Sequence, residues 1–245
     1  MDDDRDTPAT PPRPPRRAPH AAAERQDVDA FLAEVRARPP RASGTRGRLL
    51  FALDATASRQ PAWDEAAHLT ARMFDAAEAL GGLALRLCFF RGFREFRAGP
   101  WHDSAAPLQR AMASVRCAAG HTQIERVLDF ALEATRSEPI AAVVYVGDCV
   151  EEDADRLCGR AGELGLMGTP LFAFHEGRDA AAADIFRQMA RASGGAFACF
   201  DAGAADQLGA LLRAVAAYAA GGRPALEDLA KREAPARALL EDLGS

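Results

Sequence analysis

The sequence predicts an α/β fold: a mainly parallel sheet with one antiparallel edge strand, covered by helices on both faces. Three observations carry this expectation. Short apolar runs alternate with longer amphipathic stretches through most of the chain, the pattern of strands joined by crossover helices. Several of the runs are continuously apolar, as strands buried on both faces require. Two of them, 83–90 and 93–97, are separated only by a tight turn at Arg91-Gly92, which is too short for a crossover and makes them an antiparallel pair.

In chain order, Leu49-Leu50-Phe51-Ala52-Leu53 is the first buried strand. A helix follows over 61–80, with Pro61 suited to its first turn and Gly81-Gly82 to its end. After the hairpin come helices near 104–115 and 122–136, then a β-branched strand at 140–146. The remainder alternates: helix near 153–166, strand 170–175, helix 179–192, strand 196–200 and helix 204–219. There is no internal repeat.

Both ends differ in composition. Residues 1–24 carry six prolines, mixed charge and few large apolar groups, so they are expected to form a disordered proline-rich tail. Residues 25–45 read as a short amphipathic helix (27–37, with Val28, Phe31, Leu32 and Val35 on one face) stopped by Pro39-Pro40, then a linker. Residues 221–245 read as a charged, partly helical C-terminal tail broken by Pro235. The folded domain is therefore expected at 46–220.

Composition excludes several functional classes. The chain has 245 residues, a formal charge of -5 and a single lysine, Lys231. The acidic balance argues against a general nucleic-acid binder. No apolar run approaches the roughly 18 residues needed to span a bilayer, and the N-terminus lacks a basic-then-apolar signal pattern. Five cysteines without C-x-x-C spacing fit reduced thiols, so a cytoplasmic location is expected. The arginine- and alanine-rich usage fits a GC-rich, bacterial genome. Phe89 to Arg97 interleaves aromatics with arginines, as single-strand nucleic-acid binders do, but a hairpin with core-facing phenylalanines and solvated arginines explains it better. Trp63 and Trp101 read as packing residues.

In open α/β sheets, ligands bind beyond the carboxyl ends of the strands. The first strand ends in Asp54-Ala55-Thr56-Ala57-Ser58, where an extended loop would aim Asp54, Thr56 and Ser58 the same way. The strand at 140–146 ends in Gly147-Asp148, and between them Gly120-His121-Thr122 precedes a helix. These termini offer hard oxygen donors, which suit Mg2+ or Mn2+. Each residue also has a structural explanation. Turns are rich in Asp, Ser and Thr, Thr122-x-x-Glu125 is a capping box, and Asp148 could cap a turn.

Together, Asp54-x-Thr56-x-Ser58, Thr122 and Asp148 resemble the metal-ion-dependent adhesion site of von Willebrand factor type A (VWA) domains, here of the bacterial cytoplasmic type. The resemblance covers residues 46–220. It implies a three-layer, Rossmann-like fold around a six-stranded sheet, with the first and fourth strands adjacent and Asp54 beside Asp148. It implies Mg2+ (or Mn2+) held directly by Ser58 and by Thr56 or Thr122, with Asp54 and Asp148 acting partly through water. It further implies a binding module, not an enzyme. Such an adaptor or scaffold takes an Asp or Glu of a protein partner as the last metal ligand, and AAA+ ATPase systems are the partner class suggested by the family's bacterial members. No nucleic-acid or membrane partner is implied. Three departures stand out: Thr56 replaces Ser, His121 stands where Gly often precedes the Thr, and Gly147-Asp148-Cys149 replaces Thr-Asp-Gly.

The alternative is a Mg-dependent phosphohydrolase using Asp54 as nucleophile and Asp148 on the metal. Haloacid-dehalogenase-like phosphatases carry Asp-x-Asp-x-Thr there, and Thr56 removes their general acid. Neither a Walker-type phosphate loop nor a dinucleotide fingerprint follows the first strand.

Overall fold

A computed structural model of the protein describes residues 46–78, 80–201 and 204–232. The tail expected at 1–24, all of the 25–45 segment with its helix, and residues 233–245 of the C-terminal tail lie outside the described residues.

Six strands form one sheet: β1 (Gly47–Asp54), β2 (Leu83–Arg91), β3 (Glu95–His102), β4 (Ala142–Gly147), β5 (Leu171–Glu176) and β6 (Ala196–Phe200), in the order β3-β2-β1-β4-β5-β6. All neighbours are parallel except β2 and β3. This is the predicted sheet, with the first and fourth strands adjacent and the antiparallel strand at one edge. The helices are α1 (Gln60–Glu78), α2 (Ala105–Ala113), α3 (Ile124–Ser137), α4 (Ala154–Leu166), α5 (Ala180–Ala192) and α6 (Ala205–Arg232), with a short 3-10 turn at Ala57–Arg59.

The two-residue period of each strand divides the core into two layers. Leu49, Phe51 and Leu53 of β1 face one side, where α1 contributes Trp63, Leu69 and Met73, α2 contributes Leu108 and Met112, and α6 contributes Leu211, Leu212 and Val215. Leu50 and Ala52 face the other, against Val127 and Leu128 of α3, Leu157 and Leu164 of α4, and Phe186 and Met189 of α5. β4 is buried along its whole length, which is why its sequence, Ala-Val-Val-Tyr-Val-Gly, carries no charged residue and is rich in valine. Trp63 packs as expected, its Nε1 donating to the Met112 carbonyl at 3.0 Å.

Three elements differ from the sequence-based expectation. β3 starts two residues later and runs five residues further than 93–97. The turn is Gly92-Phe93-Arg94, with Arg91 paired to Glu95, and an edge strand tolerates Gly99 and Pro100 because its outer side needs no partner. Phe93 is thereby turned outward, 73% exposed, instead of facing the core. The last helix continues past 219 to Arg232, kinked at Gly222, whose φ of 68° is left-handed.

Candidate metal centre

The parallel pairing of β1 and β4 brings their carboxyl ends together. Asp54 is the last residue of β1 and Asp148 directly follows β4. Asp54 is 1% exposed. Its Oδ1 accepts from the Thr56 amide at 2.7 Å, while its Oδ2 is buried with no hydrogen-bond partner among the described residues. Asp148 shows the same division: Oδ2 accepts from the Ser58 hydroxyl at 3.0 Å and Oδ1 is buried and unpartnered. A buried carboxylate oxygen without a partner is costly, and here one from each strand end is left so.

Burial pushes the Asp54 carboxyl up to about 6, with the charge of Asp148 adding to the rise; hydrogen bonds from the Thr56 backbone and side chain, and the Arg59 charge, oppose it. The metal-free centre thus disfavours the ionised form of Asp54. The next residue extends the cluster. One ligand atom each from Asp54, Asp148 and Cys149 lie within 4.8 Å of one another.

Ser58 and Thr56 reach this place by a different route from the extended loop expected. Thr56 is extended (φ -69°, ψ 164°), but Ala57–Arg59 is a 3-10 turn, so strict alternation stops at Thr56. Ser58 meets Asp148 from the turn. Thr122 sits in the loop before α3, with its hydroxyl donating to Glu152 and accepting from the Glu151 amide at 3.0 Å. A hydroxyl has one proton and two lone pairs. Thr122 therefore keeps one lone pair and Ser58 two, so both retain the capacity to bind a cation. His121 is exposed, with Nδ1 at 3.1 Å from Glu151 and its ring edge-on to Phe93, 5.3 Å between centroids. Gly120 is required by close approach: a Cβ there would meet the Gly92 carbonyl oxygen at 1.9 Å, so the hairpin turn packs directly on this loop. Gly147, which departs from the expected pattern, leaves room for the Tyr145 ring, whose hydroxyl would lie 2.6 Å from an added Cβ.

Several residues around the centre were not anticipated. The capping-box explanation of Thr122 is incorrect: α3 starts at Ile124, and its N-cap Gln123 makes no side-chain cap. Glu152, from the β4–α4 connection, does that work by accepting from the amides of Ile124 and Glu125 as well as from Thr122. Glu151 accepts from the Thr122 amide at 2.7 Å. Asp148 caps no turn through its side chain in these contacts; its carbonyl lies 3.1 Å from Nε2 of buried His175, and Asp153 caps α4. Arg59 of the 3-10 turn forms a buried ion pair with Glu176 at the end of β5. The sequence signal for these was slight: consecutive glutamates after Asp148, and His175-Glu176 at a strand end where ligands are expected.

No protein-family model matches the chain, and no curated protein sequence matches it. Solved structures do match its fold. The VWA domain of SpRpn10 superposes with a TM-score of 0.52 over 70% of this chain and 95% of that one, at 11% identity. The chain has a VWA-like fold. The VWA-like domain is also similar to an aerotolerance-related membrane protein of Bacteroides fragilis NCTC 9343 (TM-score 0.54, 15% identity, 68% of this chain and 96% of that one). A third similar structure is proximal thread matrix protein 1 of the mussel byssus, solved with a zinc-occupied MIDAS motif (TM-score 0.51, 16% identity, 73% of this chain and 47% of that one). Among the described residues of the VWA-like domain, no helix is long and apolar enough to cross a membrane.

Proposed function

We propose that this VWA-like domain is a metal-dependent protein-binding module that captures a carboxylate of its partner and performs no turnover. The observation that carries the proposal is the pair of buried, partnerless oxygens, Asp54 Oδ2 and Asp148 Oδ1, at adjacent strand ends. The residues suit a divalent cation: two carboxylates balance its charge, Ser58 adds a neutral hydroxyl bonded to Asp148, and in this proposal Thr56 and Thr122 complete the set. For these five oxygen ligands taken alone, the ion is Mg2+ or Mn2+. A divalent ion held there supplies an electrophilic centre with room for one more anionic ligand.

The chain's own residues set up that exchange. Ser58 and Thr122 direct their protons at Asp148 and Glu152, which leaves hydroxyl lone pairs for a cation. Glu152 also caps the start of α3, so the Thr122 loop and the first turn of that helix are tied to one carboxylate. Hydrolysis would need a positioned base or nucleophile besides the metal ligands. Asp54 and Asp148 are committed to the ion in this account, and His175 is turned onto a backbone carbonyl. The five free thiols suit a reducing compartment and support a cytoplasmic setting. The similar mussel protein, with its zinc-occupied MIDAS motif, supports a metal at this place in the fold. AAA+ ATPase systems remain the partner class this proposal names.

The test is affinity capture with immobilised full-length protein in Mg2+ or Mn2+, repeated in EDTA and with Asp148→Ala. A partner retained with metal, released by EDTA and lost in the variant supports the proposal. A partner that binds equally well in EDTA, or steady phosphoester turnover abolished by Asp54→Asn, overturns it.

A further inference from the structure

The five-oxygen set leaves out the residue that the fold places beside both carboxylates. We propose that Cys149 supplies a direct sulfur ligand, making this a mixed oxygen–sulfur centre that takes Zn2+ in preference to Mg2+. The inference rests on the metal-site reading above and refines which ion it holds.

The geometry is a triangle of ligand atoms. An oxygen of Asp54, an oxygen of Asp148 and the Cys149 sulfur all lie within 4.8 Å of one another. Zinc binds thiolate at about 2.3 Å and carboxylate at about 2.0–2.2 Å, so tetrahedrally arranged ligands of one ion lie about 3.4–3.6 Å apart. The triangle is open by up to about an ångström relative to that span, and side-chain rotation on binding would draw the three atoms in. Two of its corners are already prepared: Asp54, almost fully buried, and Asp148 each present a buried oxygen with no hydrogen-bond partner among the described residues.

Donor chemistry then selects the ion. Mg2+ takes oxygen ligands and keeps several waters. A thiolate among two carboxylates favours a borderline ion, and among common divalent metals Zn2+ accepts sulfur, oxygen and a low coordination number. Coordination forms a Zn–S bond and breaks the S–H bond, with the proton passing to solvent. A zinc ion held there would keep a position open for water or a partner's carboxylate. The other four cysteines are elsewhere: Cys88 is buried in β2, Cys117 follows α2, Cys158 lies on α4, and Cys199 on β6 faces His175 at 3.8 Å. The spacing rules that search for zinc sites in a sequence pair cysteines and histidines, and they pass over a site whose single sulfur sits between two strand-end carboxylates.

The experiment uses the full chain, stripped with EDTA and reloaded with Zn2+, Mg2+ or Co2+ as probes, alongside Cys149→Ser, Cys149→Ala and Asp54→Ala. Circular dichroism confirms the fold of each variant. Co2+ reports directly on sulfur ligation, through a thiolate-to-cobalt charge-transfer band in the near ultraviolet. The expected result is that band in the wild type, its loss in both Cys149 variants, and tighter binding of Zn2+ than Mg2+. Groups that merely hydrogen-bond to a metal ligand are worth about tenfold or more in affinity, so losing the sulfur should weaken Zn2+ binding by at least about tenfold. Mg2+ binding by Cys149→Ser should change little. Co2+ binding without the band, a band that persists in Cys149→Ser, or unchanged Zn2+ affinity in that variant overturns the sulfur ligand and leaves the oxygen site standing. Failure of every ion to bind wild type overturns the metal site itself.

Discussion

The hydroxyl of Ser58 donates to Oδ2 of Asp148 at 3.0 Å, joining residues ninety positions apart in the chain. The bond ties the turn after β1 to the end of β4 and aims the hydroxyl's lone pairs away from its proton. Ser58 is exposed and strains no core contact. Ser58→Ala is therefore expected to lower stability in EDTA by no more than about 1 kcal/mol, while weakening the metal-dependent rise in melting temperature. Melting curves with and without metal separate the two effects.

Asp54 gives a pH dependence with a definite sign. Its folded-state value is about 6 against 3.8 for the ordinary carboxyl, so the folded protein holds its proton more tightly than the unfolded chain. Stability from this group is present at low pH and is lost as pH rises from about 4 through about 6, by on the order of 3 kcal/mol in metal-free protein. Asp54→Asn cannot ionise. In EDTA it should melt higher than wild type at pH 7, and the difference should shrink towards zero at pH 4. A constant difference across that range contradicts the assignment.

Arg59 and Glu176 form a buried ion pair that ties the 3-10 turn to the end of β5. Removing one partner leaves an uncompensated buried charge, so Arg59→Met should destabilise by about 3–5 kcal/mol. Arg59→Met combined with Glu176→Leu should recover much of that loss. Urea unfolding of the two variants measures the recovery.

Much of the fold was legible because its signals are local. Valine-rich runs without charges, such as 142–147, identify strands covered on both faces, and alternation with helices dictates parallel pairing. Asp54 and Asp148 could be placed together because the strand order follows from the resemblance. What escaped were relationships between side chains distant in sequence. Thr122-x-x-Glu125 has the spacing of a capping box, yet Glu152 takes the helix amides because its connection passes over the start of α3. Arg59 and Glu176 look like ordinary surface charges until β5 is placed two strands from β1. Cys149 looked like one more reduced thiol. The outer strand β3 was underestimated because Gly99 and Pro100 argue against a central strand and are silent about an edge.

Glu152 yields a fourth prediction. It accepts from Thr122 and from two α3 amides, so its loss removes the helix cap and the partner of the Thr122 proton together. Glu152→Ala should cost about 1–2 kcal/mol. Glu152→Gln, which keeps an accepting oxygen, should cost less. Amide exchange in the first turn of α3 should quicken in Glu152→Ala before the rest of the domain responds, and protection equal to wild type there contradicts this role.

The central claim is that two strand-end carboxylates, Asp54 and Asp148, hold a divalent ion in the native state. Thermal melting of EDTA-stripped full-length protein, titrated with Mg2+, Mn2+ or Zn2+ beside Asp54→Asn, tests it most directly. Binding to the native state alone adds about 2.7 kcal/mol at a hundredfold excess over the dissociation constant, and for a domain of this size that raises the melting temperature by about 5 °C or more. The account predicts such a rise in wild type with at least one of the ions and none in Asp54→Asn. Identical wild-type curves in EDTA and in saturating amounts of all three ions would contradict it.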